Sequence, residues 1–413
     1  MAEALSSVAS IDDARPPALS HGTLFLRFLK FGLLAFGGPV AQIAMIRREL
    51  VDREGWISSA RFNRLLAVMQ ALPGPEAHEL CVHMGMRAKG RVGGVLAGLG
   101  FMLPGFVLML GLAWLYFQID VSLPWIAAML LGVQAGVVGL VSRAVERIGR
   151  HVVTSPLLWV IAGVTLVSSL LGVSFWLLLG VAGWVSALAA VGRRGWAMAA
   201  VGVAMGLAVL IGLENPVETI VPSAVGVVSG PGTASLALLF LAGLKAGLLT
   251  FGGAYTAIPL VREDAVGRGW LSDGQFLDGL ALSSALPAPL IIFTTFVGYV
   301  AGGPWGALAI TAGTFLPAFA FSLIFYDRLE AVVEDRRLKA LLDGVAAGAV
   351  GLIAAAAIEL AIGLVGRPGP VWPLALIAVG ALVVAWVWRS GWATLAVVIV
   401  AALTGLAMQS WLG

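Results

Sequence analysis

The chain has 413 residues, of which 60% are hydrophobic and only 11% are charged. Soluble domains carry about 25% charged residues, so this composition excludes a soluble globular protein and a disordered one. Uncharged runs cover residues 92–119, 155–192 and 279–326, and each is longer than the ~20 residues that a membrane-spanning helix needs. The sequence therefore predicts an all-α polytopic membrane protein embedded in a lipid bilayer.

Charge and cysteine content narrow the function classes further. Basic residues outnumber acidic ones by 25 to 22, a net charge of +3 that fits cytoplasmic loops and predicts no nucleic-acid partner. Cys81 is the only cysteine, which excludes an intrachain disulfide. The spacing of His78, Cys81 and His83 matches no common ligand pattern, and nucleotide-binding or hydrolase motifs are missing. We expect no metal, no cofactor and no enzymatic activity.

The apolar segments form two groups. Residues 1–23 are polar without a signal-peptide core and are predicted to be a cytoplasmic tail. A first group covers residues 24–213 and a second covers 236–413, with a linker at 214–235 that contains no Lys or Arg. The hydropathy pattern predicts about 13 spans, at residues 24–46, 62–88, 91–118, 124–149, 156–173, 174–191, 196–213, 236–260, 274–300, 304–326, 340–363, 371–388 and 392–411.

The two groups are copies of one repeat. Lys30 begins the string KFGLLAFGGP, and Lys245 begins the matching string KAGLLTFGGA. The alignment continues for about a hundred residues with few gaps, which is the signature of internal duplication. The further matched pairs are Ile43 with Ile258, Arg47 with Arg262, Glu49 with Asp264, Arg53 with Arg268, Trp56 with Trp270, Phe62 with Phe276, Gly90 with Gly303, Gly93 with Gly306, Gly100 with Gly313, Pro104 with Pro317, Gly132 with Gly344, and Gly136 with Gly348.

The number of spans determines the relative orientation of the copies. Seven predicted spans precede the second copy, and an odd number predicts an inverted repeat, as in many secondary transporters. If residues 62–88 instead enter and leave on one side, the count is even and the first helices run parallel. The positive-inside rule supports inversion from residue 90 onward, whereas the arginine-rich stretch 47–61 opposes it. The rule assigns to the cytoplasm the loops near residues 143–150, 193–194, 262–268 and 328–339.

Helix-breaking residues recur at matched positions in both copies. A break inside the bilayer is tolerated where protein or a water-filled cavity receives the freed backbone groups, and an exposed half-helix N-terminus suits an anion. These residues are therefore predicted to bind an anionic substrate, although packing glycines and proline kinks would give the same pattern. The residues concerned are Gly37, Gly38, Pro39, Pro73, Gly74, Pro75, Gly252, Gly253, Pro287, Ala288 and Pro289.

Charged residues near these breaks are further candidates. Lys30 and Lys245 each precede a Phe-Gly-Gly by six residues and are predicted to supply positive charge to the substrate, the alternative being that they snorkel to the interface. Glu76, His78 and Glu79 follow the first Pro-Gly-Pro and have apolar counterparts in the second copy. They are candidates for coupling or gating, the alternative being that they cap a half-helix that faces water.

At these residues the chain resembles the chromate ion transporter family in its long, two-domain form. The strings that carry the resemblance are FGGPVAQIAMI from Phe36, LPGPEA from Leu72, FGGAYTAIPL from Phe251 and QFLDGLALSSALPAPL from Gln275. The resemblance implies a bacterial inner-membrane protein that exports chromate and confers chromate resistance. Some members have His at the position of Gln42, and many have Pro-Gly-Pro in both copies where this chain has Ala288. Both differences fall at the predicted substrate site, which includes Gln42, and bear on its selectivity.

The charge of chromate favours export. Moving one charge through 100 mV is worth about 2.3 kcal/mol, so expelling a dianion from an inside-negative cell gains about 4.6 kcal/mol. That energy sustains a gradient of about a thousandfold without protons, and proton antiport could add to it. The alternatives are a sulfate- or molybdate-type importer and an anion channel. The oligomeric state is left open, with a homodimer as one option.

Overall fold

The computed structural model describes residues 16–71, 74–120, 123–214, 234–250, 254–324, 336–365, 371–388 and 392–409. All regular structure in these ranges is helical, in agreement with the predicted all-α class. Four helical stretches there are long and apolar enough to cross a membrane, and several shorter apolar helices accompany them. The four stretches are Glu76–Tyr116, Pro124–Val152, Leu290–Ile324 and Lys339–Val365.

The first half of the described chain contains eight α-helices. A π-helical turn, Arg47–Arg53, extends the second of them. The helices are α1 His21–Leu33, α2 Gly38–Ile46, α3 Ser59–Ala71, α4 Glu76–Tyr116, α5 Pro124–Val152, α6 Pro156–Leu170, α7 Phe175–Ala190 and α8 Arg194–Glu214.

The second half repeats the first seven elements in the same order. Short 3₁₀ turns at Ala254–Thr256 and Leu290–Ile292 accompany its helix breaks. The helices are α9 Leu236–Leu248, α10 Ala257–Gly267, α11 Asp273–Ser284, α12 Phe293–Ile324, α13 Arg336–Val365, α14 Trp372–Val387 and α15 Trp392–Ala407. Helix α8 therefore has no counterpart among the described residues.

The predicted span 24–46 consists of two helices. Helix α1 ends at Leu33 and α2 begins at Gly38, because Gly37 and Gly38 have φ of 91° and 77°, which an α-helix does not accommodate. The chain then folds back, since Arg27 forms an ion pair with Glu54 and packs over the ring of Trp56. The N-terminal residues 1–15 and residues 215–233 of the predicted linker lie outside the described part of the chain.

A glycine turn divides α4 and α12 at corresponding positions. Gly90 has φ 62° and ψ −158°, and Gly303 has φ 63° and ψ −158°, a conformation that only glycine adopts readily. The chain reverses there, so that Gly85 packs on Gly93 and leaves no room for a Cβ atom. Helix α4 is thus a short arm, Glu76 to residue 88, followed by a long arm from residue 91.

The long arms of α4 and α12 run in opposite directions where they meet. Gly94 lies against Leu323 and Gly98 lies against Phe319, so one sequence number rises as the other falls. Helix α1 runs parallel to the long arm of α4, since Gly100 contacts Phe25 and Gly32 contacts Pro104. In the same way α9 runs parallel to the long arm of α12, with contacts of Gly243 to Ile310 and of Gly247 to Pro317.

The two halves exchange their packing partners. Helix α5 packs on α14 and α15 of the second half, and α13 packs on α6 and α7 of the first half. Glycines on the long helices allow backbone contact there. The contacts are Gly132 with Ala401, Gly139 with Ala378, Gly344 with Ala182, and Gly351 with Ala162.

Candidate functional site

Helix breaks from both halves meet in the interior of the bundle. The Gly74 amide donates a hydrogen bond to the Thr250 carbonyl at 2.8 Å, which joins the α3–α4 break to the α9–α10 break. The Tyr255 hydroxyl lies 3.9 Å from the position that a Cβ atom would take on Gly38. Ala288, in the α11–α12 break, packs against Gly105 of the long arm of α4. The sequence predicted the breaks but not their mutual contacts.

The break between α1 and α2 exposes the N-terminus of α2. Gly37 caps this helix in a left-handed conformation without a side-chain hydrogen bond, and Pro39 occupies its first turn. That turn holds no acidic residue, so its amide groups and its positive dipole end suit an anion. Gln42 is buried and donates from Nε2 to the Ala35 carbonyl at 2.9 Å, across the break. Its Oε1 atom is buried without a hydrogen-bond partner among the described residues.

The break between α3 and α4 differs from the first break because two acidic residues lie at the helix N-terminus. Gly74 has φ 144°, Pro75 is the N-cap of α4, and Glu76 and Glu79 lie in the first turn. The carboxylate of Glu79 packs directly on Gly74, and both of its oxygens are buried without a hydrogen-bond partner among the described residues. Two carboxyl groups at one helix N-terminus suit a bound proton better than an anion.

His78 lies at the interface between the halves. Its ring is 4.9 Å from the Phe315 ring and 4.8 Å from the Phe319 ring, centroid to centroid. The side chain is fully buried, so in this conformation it does not cap a helix end that faces water.

The two predicted lysines occupy different environments. Lys30 is exposed on α1. Lys245 is partly buried and forms an ion pair with Asp264, with 2.7 Å between Nζ and Oδ2, and its Nζ lies 4.5 Å from the centre of the Phe175 ring. The duplicated sequence thus does not produce a duplicated lysine site in this conformation.

Three of the predicted site residues, Pro73, Gly252 and Gly253, lie outside the described residues. In the second copy of the Pro-x-Pro motif, Ala288 is buried and Pro289 is the N-cap of the 3₁₀ turn that precedes α12. Pro287 lies directly before them in the same break.

Asp278 is a buried carboxylate that the sequence analysis did not single out. Its Oδ2 atom accepts a hydrogen bond from the Tyr116 hydroxyl at 2.8 Å, and its Oδ1 atom accepts one from Gln134 Nε2 at 2.5 Å. These bonds connect α11 to α4 and α5. Asp278 is the only acid in the QFLDGLALSSALPAPL string, and an intramembrane acid is a signal for a functional or structural role.

A second polar connection also went unpredicted. Arg262 on α10 donates to Asp273 at the start of α11 and to Glu359 on α13, at 2.8 Å and 2.7 Å. All three side chains are at least two-thirds buried. The sequence could not indicate this network, because Glu359 lies 97 residues beyond Arg262.

Broken helices from two internal repeats that contact each other recur in membrane transporters. The family model described as "Chromate transporter" matches residues 22–207 and 237–406. The chain belongs to this chromate transporter family, which confirms the resemblance found in the sequence.

Curated relatives carry matching descriptions. The chain is 59% identical over 395 residues to the chromate transport protein of Pseudomonas aeruginosa, a match that covers 95% of this chain and 94% of the relative. It is 31% identical to the chromate transport protein of Cupriavidus metallidurans, with 84% of each chain covered. It is 32% identical to a probable chromate transport protein of Synechococcus elongatus, over 83% of this chain and 85% of the relative. No solved structure matches the chain significantly.

Proposed function

We propose that this protein exports chromate from the cytoplasm across the bacterial inner membrane and thereby confers chromate resistance. The observation that carries the proposal is the contact between helix breaks of the two halves, from Gly74 to Thr250, in a chain of the chromate transporter family. The membrane potential drives the dianion outward and can sustain a concentration gradient of about a thousandfold.

The substrate site in this proposal centres on the N-terminus of α2. Gly37, Gly38 and Pro39 form the start of the helix, and Gly38 lies near the Tyr255 hydroxyl of the second half. Gln42 borders the same break. The second-half residues Gly252, Gly253, Pro287, Ala288 and Pro289 complete the proposed site by their matching sequence positions.

Proton coupling is assigned in this proposal to the first turn of α4. Glu79 is buried with unpartnered oxygens beside Gly74, and Glu76 is buried one turn earlier. A carboxyl group in such surroundings takes up a proton at lower cost than it carries a charge. Proton entry in exchange for chromate exit would make the protein an antiporter.

The two repeats are proposed to have inverted topology. Support comes from the antiparallel long arms and from α1 and α9, each of which runs parallel to the long arm of its own half. Helix α1 and the long arm of α4 therefore start at one end of the bundle, named here the Gly90 end. The chain between these two starting points must therefore cross the membrane an even number of times. A segment 24–46 that spans the membrane, followed by a re-entrant segment 62–88, would give one crossing and does not meet this requirement.

Two re-entrant hairpins, 24–46 and 62–88, satisfy this requirement and also remove the charge conflict. The stretch 47–61 then joins residues 143–150 at the Gly90 end, which the positive-inside rule places in the cytoplasm. Arg262 and Arg268 move to the opposite end, contrary to the loop assignment from sequence. Their charges are balanced there by Glu359, Asp273 and Asp264.

The direct test is chromate flux in proteoliposomes that contain the purified protein. With an inside-negative potential, outward chromate movement should exceed inward movement, and unlabelled chromate on the far side should accelerate exchange. Sulfate and molybdate serve as competitors. Net inward flux under these conditions would contradict export, and ionic currents far above a carrier's rate would identify a channel.

A further inference from the structure

We propose that Arg147 is the cationic residue that binds the oxyanion at the cytoplasmic approach to the helix breaks. This inference rests on the proposed transport of an oxyanion and adds a residue to its site. The ligand class is a tetrahedral dianion, which a planar guanidinium can bind through two parallel hydrogen bonds.

The position of Arg147 on α5 sets the direction in which its side chain leans along the helix axis. Helix α5 begins soon after α4 ends, so its C-terminal part, which carries Arg147, lies toward the Gly90 end. Side chains on a helix lean toward its N-terminus, which directs the guanidinium from the Gly90 end toward the middle of the bundle. The positive charge of Arg147 is near enough to act on Tyr255, and the Tyr255 hydroxyl lies 3.9 Å from the position that a Cβ atom would take on Gly38.

Arg147 lacks a counter-charge within the described part of the chain. It is partly buried, and its Nε atom is buried with no hydrogen-bond partner there. A partly buried guanidinium without a counter-charge is costly, so its presence favours a ligand that is charged oppositely. The neighbouring arginines of α5 differ, because Arg143 and Arg150 both pair with Glu146.

Two other cations near the second-half break are paired with acids, and Lys30 lies on an exposed face. Lys245 is paired with Asp264, and Arg262 is paired with both Asp273 and Glu359. Lys30 is exposed on α1.

The internal repeat supplies an independent contrast. The matched glycines of α5 and α13 align Arg147 with Glu359, and the matched residues around α3 and α11 align Ser59 with Asp273. Arg47, the counterpart of Arg262, donates to Ser59 at 2.9 Å and to Asn63 at 3.3 Å.

The cluster of Arg262, Asp273 and Glu359 thus contains two acids. Its counterpart is defined by the matched positions and contains two arginines and a serine, namely Arg47, Arg147 and Ser59. The counterpart lies at the Gly90 end, which is the cytoplasmic end in the proposed topology. An excess of positive charge at that mouth raises the local concentration of a dianion.

The test is direct binding of chromate to the purified full-length protein in lipid nanodiscs, measured by isothermal titration calorimetry. Arg147→Gln should weaken binding about 10- to 100-fold, because a charge-assisted hydrogen bond is lost. Arg147→Lys should lose less, because it retains the charge without the planar fork. The matched control is Arg150→Gln, on the same helix, exposed and paired with Glu146, which should bind as the wild type does.

Size-exclusion profiles and thermal melting establish whether each variant is folded. If Arg147→Gln does not fold, Arg147→Lys serves as the test variant in its place. Wild-type affinity in Arg147→Gln, or in Arg147→Lys should only that variant fold, would overturn the assignment. The same titrations with sulfate and molybdate separate this inference from the chromate proposal. Binding of those anions that depends on Arg147, without chromate binding, would support Arg147 and contradict chromate as substrate. If the wild type bound none of the three anions, both proposals would fail.

Discussion

Arg262 Nη1 lies 2.7 Å from Glu359 Oε2, and this ion pair joins α10 to the long helix α13. The side chains are 17% and 18% exposed, so solvent screens the pair only in part. Because Arg262 also binds Asp273 at the start of α11, the three groups hold α10 and α11 against α13.

A double-mutant cycle on Arg262→Gln and Glu359→Gln should reveal coupling of about 1–3 kcal/mol. Arg262→Gln leaves the partly buried Glu359 without its cation, and Glu359→Gln leaves Arg262 with Asp273 alone. The measurement is unfolding of the purified protein in mixed micelles. The exposed pair Arg53–Glu49 is the control and should couple by less than about 1 kcal/mol. Equal coupling in the two cycles would show that burial does not strengthen the Arg262 pair.

Cysteine labelling tests the inverted topology at two corresponding positions. Asp52 and Gly267 are both exposed, and a Cβ on Gly267 meets no atom within 4 Å. In a Cys81→Ala background, a membrane-impermeant thiol reagent should label Asp52→Cys from the cytoplasm and Gly267→Cys from outside. Labelling of both positions from one side would contradict the inverted arrangement.

Substitution of Glu79 tests proton coupling. Glu79→Gln copies the shape of the protonated acid but cannot release a proton, so chromate flux should lose its pH dependence while binding persists. The measurement is flux in proteoliposomes across a pH series. Glu263→Gln, at an exposed acid of α10, is the control and should keep the wild-type profile. An unchanged profile in Glu79→Gln would exclude Glu79 as the coupling group.

The two lysines should respond differently to the same change. Lys30→Gln should leave both stability and chromate affinity close to wild type, because the side chain is exposed. Lys245→Gln should lower stability by about 1–3 kcal/mol, because Asp264 loses its buried partner. Thermal melting and calorimetric titration of both variants measure these effects. A 10- to 150-fold affinity loss in both would instead restore the symmetric lysine site expected from sequence.

The sequence predicted the helix breaks well because glycine and proline act locally. Gly37 and Gly38 have positive φ, which glycine adopts without steric cost, and Pro75 begins a helix where the pattern placed one. The environment of the lysines could not be predicted, because an ion pair such as Lys245–Asp264 depends on how a broken helix folds back. The partial burial of Arg147 and its lack of a described ion pair were equally hidden, since its sequence context alone is that of a solvated helix end.

The exchange of packing partners means that each half depends on the other to complete its fold. Helix α5 packs through its glycines on α14 and α15, and α13 packs through its glycines on α6 and α7. Each half therefore packs its long glycine-containing helix between two helices of the other half. A chain cut within residues 214–235 would remain one particle, and a polypeptide with a single copy of the repeat would need a second such polypeptide to complete its fold.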